Sequence, residues 1–135
     1  MASKVVNQGL KMIGDRASGV AGAAAAIAGM SFDDSTVAFA AGDTAANSGG
    51  AITNFQGNAL DSTPTGGAAT TPYVVTHLCT LTTGQFNTFV VKRIAAHNSN
   101  APTASSTTLI SGVDGFSITK ASTFSLTPTY KHSYS

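Results

Sequence analysis

The sequence contains no glutamate and no tryptophan, one cysteine, and few charges of either sign: seven Lys and Arg against six acidic residues, all of them Asp, in 135 residues. Each shortage excludes something. Glu and Lys are the usual coat of solvated helices, so their scarcity argues against a helical protein. A lone cysteine, Cys79, permits no disulfide within the chain, and stability must come from packing or assembly. With a formal net charge of +1 and Lys92-Arg93 the only adjacent basic pair, there is no basic stripe of the kind that neutralises phosphates, so nucleic-acid binding is not expected. The small-residue run over residues 20–30 is far shorter than the roughly 20 apolar residues of a membrane span. It also lacks Leu and Phe and follows Asp15 and Arg16, which is poor chemistry for a secretory signal. No membrane partner is expected.

What is abundant is Thr, Ser, Asn, Gly and Ala. Thr favours strands, and Ser, Asn and Gly favour turns, so the composition predicts an all-β protein with long loops. The length suits a single domain, residues 1–135, large enough for one hydrophobic core. Within it the pattern divides into an N-terminal helix (1–19), a loop-rich region (31–72) and a strand-rich core (73–130).

The helix is read from VVNQGLKMIGDRASG, residues 5–19. Val6, Leu10, Ile13 and Ala17 form one apolar stripe, Lys11 and Asp15 are an i, i+4 pair, and Gly19 supplies a stop. Gly9 and Gly14 each weaken a helix by roughly 1 kcal/mol relative to Ala, so this one needs tertiary support. The following GVAGAAAAIAGM reads as a segment that packs closely on its way to the first strand or loop. From 31 to 72 turn residues dominate, with short strands expected at 36–40 and 51–56. So long a polar stretch is not plain linker, and it is the region expected to touch a neighbour.

Beyond residue 72 the strand signals sharpen. YVVTHLCTL (73–81) has the β-branched, apolar character of a buried strand. FNTFVVKRIAAH (86–97) alternates, with Phe86, Thr88, Val90, Lys92 and Ile94 on one face and Phe89, Val91, Arg93 and Ala95 on the other. TLISG leads to a turn at VDG, and FSITK follows with Phe116, Ile118 and Lys120 on one face. FSLTPTY then places Phe124, Leu126, Pro128 and Tyr130 inward. Pro128 cannot donate to a ladder, so this last strand is expected at an edge or only partly paired there. Short strands separated by turn signals indicate a β-sandwich or jelly roll.

No constellation carries obvious chemistry. His77 and Cys79 share a strand face, but no further ligand or catalytic group stands near in sequence, and a buried thiol beside a tolerated histidine is the expected arrangement. His97 and His132 have no partner at motif spacing. Asp33, Asp34 and Asp43 lack the spacing of a calcium loop and are expected to cap turns. The glycine-rich pieces lack the Lys and Ser/Thr of a phosphate loop. No catalytic, cofactor-binding or metal-ligating residue is assigned, and neither an enzyme, a cofactor nor a small-molecule substrate is expected.

Three stretches resemble a known group. Residues 5–19 resemble the start of small bacteriophage virion proteins, in which an Asn-x-Gly-Leu helix leads into a Gly-rich strand. GDTAANSGGAI (42–52) resembles the loop those proteins carry next, although Ala46 through Gly49 replace its usual Leu and Glu. TLISGVDGFSITKASTFSLTPTY (108–130) resembles their closing hairpin. The middle matches less, with KRIAAHNS (92–99) where the group has an acidic-Gly-Leu-Phe segment.

The resemblance implies a sandwich or jelly-roll subunit of a virion, assembled in the host cytoplasm. Its expected role is a capsid cement or decoration protein, bound as a homodimer or homotrimer to the outer surface of the head over joints between copies of the major capsid protein. The alternatives are a tail or collar fibre module, disfavoured by the absence of heptads, and a host-surface or glycan-binding β module, disfavoured by the absence of Trp platforms.

Overall fold

In a computed structural model, described for residues 1–22, 25–69, 73–105 and 108–134, the chain is mostly β-sheet with one short helix. Ala23 and Ala24 of the small-residue run, and residues 70–72 closing the loop-rich region, lie outside the described residues. The strands are β1 (Ala2–Val5), β2 (Gly29–Asp33), β3 (Phe55–Ala59), β4 (Thr65–Gly66), β5 (Tyr73–Leu78), β6 (Val90–Val91), β7 (Arg93–His97), β8 (Leu109–Asp114), β9 (Ile118–Thr119) and β10 (Thr129–Tyr134), with α1 at Asn7–Ala17. One antiparallel sheet runs β1-β8-β7-β2-β3, a second runs β10-β5-β4, and β6 pairs with β9. Neither larger sheet closes on itself.

The five-stranded sheet is covered on both faces. Every residue of β2 and β7 is buried. On one face Met30, Phe32, Ile94 and Ala96 join Cys79, Leu81 and Tyr130 in the main apolar cluster, so the second sheet and its approaches lie against that face. The opposite face pairs Asp33 with Arg93 and Ser31 with Ala95 across β2 and β7. Residues 34–54 cover it, and this segment contains no strand.

A buried ion pair holds that cover in place. Arg93 Nε donates to Asp33 Oδ1 at 2.8 Å and Nη2 to Asp33 Oδ2 at 3.1 Å. Its remaining donors reach the Val37 carbonyl at 3.0 Å and the Ala46 carbonyl at 2.8 Å. The Phe39 ring lies against the guanidinium at 4.3 Å and over Gly112, where any side chain would displace it. The strand expected at 36–40 is therefore irregular chain shaped by side-chain hydrogen bonds. The strand expected at 51–56 forms later, as β3. All three aspartates cap loops as expected: Asp33 accepts from Ser35 N–H, Asp34 from the N–H groups of Thr53 and Asn54, and Asp43 from Ala40 N–H.

The helix lies where expected, but its buried face is turned. Val6, Gly9 and Met12 are buried, Ile13 is half-buried, and Leu10 and Ala17 are exposed. Gly9 sits directly on the Ile110 carbonyl of β8, an approach that only a residue without Cβ allows. That contact, and not the Leu10 stripe, sets the rotation of the helix. Ahead of it, Ala2–Val5 form a strand that the sequence reading missed, β1, paired with β8 from Ala2 opposite Asp114 to Val5 opposite Ser111.

The segment 86–97 is not one strand. Phe86 (φ 54°) and Thr88 (φ 69°) are left-handed, so a turn occupies 86–89 before β6 and β7. Lys120 fastens this turn: it is fully buried, with Nζ donating to Asn87 Oδ1 at 3.0 Å and to the Ala121 carbonyl at 2.7 Å. The alternation expected over 116–120 is broken: Ser117, Ile118 and Thr119 are all exposed and only Lys120 is inside. Near the C-terminus, Leu126 makes only a bridge to Leu81, Phe124 is exposed, and the ladder begins at Thr129 immediately after Pro128. The final strand expected over 124–130 is thus displaced to 129–134, with Pro128 just outside it, and β10 stands at a sheet edge.

Candidate functional site

Among the described residues, β1 of the five-stranded sheet and β10 of the three-stranded one are edge strands with no strand partner on their outer side. Between them lies a groove of about 890 Å³, in the upper part of the range of roughly 300–1,000 Å³ usual for ligand clefts. Its apolar lining comes from Ile94 of β7, Val113 of β8, Leu10 and Ile13 of α1, and from Phe116, Ile118 and Leu126. Leu10, outside the core and 58% exposed, is one of the lining residues.

The lining includes all six consecutive residues of β10 and three consecutive residues of β1 (Ser3, Lys4 and Val5). Alternate residues of a strand point to opposite faces, so an unbroken run can line a groove only where the strand presents its edge. The unpaired backbone groups of β10 therefore border an apolar trough. Lys4 and Lys131 stand one on each edge, and both are exposed. No Asp lines the groove, and neither lysine has a carboxylate partner among the described residues.

A chain of buried polar groups runs into the groove wall. Tyr130 O–H donates to Ser111 Oγ at 3.0 Å, and Ser111 Oγ lies 2.7 Å from His132 Nε2. His132 Nδ1 is 3.4 Å from His77 Nδ1, with the two rings edge to face. Ser111 Oγ accepts from Tyr130 and shares a hydrogen bond with His132 Nε2, and the tautomer of His132 sets which of the two donates there. Burial, reinforced by the neighbouring His77, pushes His132 down to about 4. Burial also lowers His77, against a hydrogen bond with the Tyr130 backbone, and pushes the Tyr130 phenol up to about 12.

Ser111 and His132 have the separation of a hydroxyl and its general base. The chemistry around them differs from that of a nucleophilic pair. A base must become an imidazolium during such catalysis, and a carboxylate normally stabilises it. Here the second ring nitrogen faces another imidazole, and burial opposes the charged form. The arrangement acts as a hydrogen-bonded strut joining β8 of one sheet to β5 and β10 of the other.

His77 and Cys79 do not form a pair. The Cys79 thiol donates to the Ala59 carbonyl at 3.3 Å, and burial, reinforced by the charge of Asp61, pushes it up to about 12, which keeps it protonated. His97 meets Ser31 Oγ at 2.8 Å on the opposite face of the five-stranded sheet. Among the described residues no group of three or more His, Cys, Asp or Glu side chains converges as if on a metal ion, and no helix is long and apolar enough to cross a membrane.

Sequence reasoning missed Ser111, Tyr130 and His132 as a cluster because they lie on different sheets. The one available signal was the in-facing position of Tyr130, which places His132 on the same strand face. The groove had no local signal, since its parts come from five separate stretches of chain. The chain matches no protein-family model, no curated protein and no solved structure.

Proposed function

We propose that this chain is a non-enzymatic structural subunit that works by binding other proteins. Its specific place is the outer surface of a bacteriophage head, as a cement or decoration protein over the joints between major capsid subunits. The observation that carries the reading is the apolar groove bordered by the open edge of β10, a surface suited to a polypeptide partner because it offers both apolar area and unpaired backbone groups. The low charge of the chain agrees with it, since the cores of protein interfaces are depleted of charged residues. So does the chemistry of Cys79 and His132, which burial keeps as a thiol and a neutral imidazole.

On this reading the two larger sheets are the layers of a β-sandwich of jelly-roll type, a reading supported by the apolar cluster they share through Phe32, Ile94 and Tyr130. A dimer or trimer of the subunit repeats each contact, so that modest single contacts add up to firm attachment by multivalency. The virion assignment rests on the three stretches of sequence resemblance. Quantitative mass spectrometry of purified virions tests it: a cement protein is present in amounts comparable to the major capsid protein. A few copies per particle would move the subunit to the tail or collar, and absence from the particle would remove the virion role.

A further inference from the structure

We propose that the groove is a strand-acceptor site, and that its occupant is an extended segment of a different protein, apolar at alternate positions and acidic where it passes Lys4 and Lys131. This deepens the binding reading above and rests on it. β10 presents six residues of edge, about 20 Å at roughly 3.4 Å per residue, which is enough to pair with a strand of similar length. A strand laid along that edge turns every second side chain inward, toward Ile94, Val113 and Leu126. Small molecules and lipids fill apolar clefts too, but they leave the backbone donors and acceptors of an open edge without strand partners. A peptide satisfies both at once.

Charge chooses between a second copy and another protein. Lys131 is the third residue of the β10 edge and Lys4 the third of β1, and an edge lysine opposes pairing with a like-charged edge. Two copies meeting β10 to β10 would bring their Lys131 side chains together. Nor does this chain supply the acidic strand that the lysines call for. Asp33 is buried against Arg93, and Asp114 is buried and accepts from Phe39 N–H. Asp15 pairs with Lys11 on the helix, Asp34 is bound by Asn54, Asp43 accepts from Ala40 N–H, and Asp61 is bound by Thr80. The groove is therefore complementary to a foreign segment.

The test uses the full chain and two blocked synthetic nonapeptides. One alternates Val with Asp and Thr, and the other is identical but with Lys in place of Asp. Binding is followed by fluorescence anisotropy, and the site is mapped by amide chemical-shift changes. The acidic peptide should bind and shift the amides of Ala2–Val5 and Thr129–Tyr134, with the basic peptide at least about fivefold weaker and the difference shrinking as salt rises. Lys131→Glu, at an exposed position, should reverse the preference. Equal binding of the two peptides, shifts confined to another surface, or self-association of the free chain through these two strands would each overturn the strand-acceptor claim. So would failure of the acidic peptide to bind while a medium-chain fatty acid shifts the same amides. If neither peptide binds but the protein still attaches to purified phage heads, the strand-acceptor claim fails alone and the virion role stands. If the protein does not attach to heads while the acidic peptide binds as described, the virion placement fails and the groove assignment survives.

Discussion

At the scale of single residues, the buried charges and histidines carry the strongest expectations. Arg93 and Asp33 are each 1% exposed and hold the segment 34–54 on the sheet. Removing one member of such a pair strands the other, so Arg93→Met should cost about 3–5 kcal/mol in urea unfolding. Burial pushes the Asp33 carboxyl up even with Arg93 beside it. Without the guanidinium it holds its proton still more readily, so the loss should be smaller at pH 5 than at pH 8. A loss independent of pH would mean that the carboxyl finds another partner. His132 gives a second test. Its folded value of about 4 lies below the ordinary 6.5, so the unfolded chain binds a proton first as pH falls. Stability contributed by the neutral ring is present above about 6.5 and is lost as pH falls toward 4. Thermal melts should show the midpoint of the wild type falling over that interval more than the midpoint of His132→Gln. Asp33 titrates in the opposite sense, but it is common to both proteins and cancels in the difference.

At the scale of elements, the helix shows what a sequence reveals and what it conceals. Its position could be read from apolar spacing and from Gly19, but its rotation could not. The residue that decides the rotation is Gly9, which has no side chain to enter a hydrophobic pattern and acts through what it permits, contact with the Ile110 carbonyl. Gly9→Ala should therefore destabilise the protein by about 1–3 kcal/mol through overpacking. Gly14 is exposed with nothing near its Cα substituent position, and Gly14→Ala should stabilise by up to about 1 kcal/mol. Differential scanning calorimetry of the two variants checks both signs, and equal shifts would mean that the helix is not seated on β8. The strands divide in the same way. β5 and β7 fall inside stretches whose β-branched and apolar pattern marks them, whereas β8 runs on through Val113 and Asp114, where a turn was expected. The segment 86–97 reads as continuous because residue types do not reveal the left-handed turn at Phe86 and Thr88. Polar side chains at buried positions, such as Ser31, Asp33 and His97, were opaque for another reason. Each is satisfied by a partner distant in sequence.

At the scale of the whole molecule, composition made the all-β class legible. The absence of Glu, the scarcity of Lys and the abundance of Thr left little else, and the structure is mostly β-sheet with one short helix. The groove was not legible. Its lining comes from within residues 1–5, 10–13, 94, 111–118 and 126–134, which only the completed fold brings together. The loop-rich region, expected to touch a neighbour, covers one face of the larger sheet over 34–54, while residues 61–69 are largely exposed. The surface best suited to a partner lies elsewhere, between β1 and β10. Amide hydrogen exchange measured on the free protein and on the protein bound to purified phage heads addresses that surface most directly. Amides of Ala2–Val5 and Thr129–Tyr134 should exchange quickly at their open edges when free and become strongly protected on binding. Bound protein in which these two strands exchange as fast as before, while protection develops over residues 61–69 or on the far face, would contradict the assignment of function to the groove.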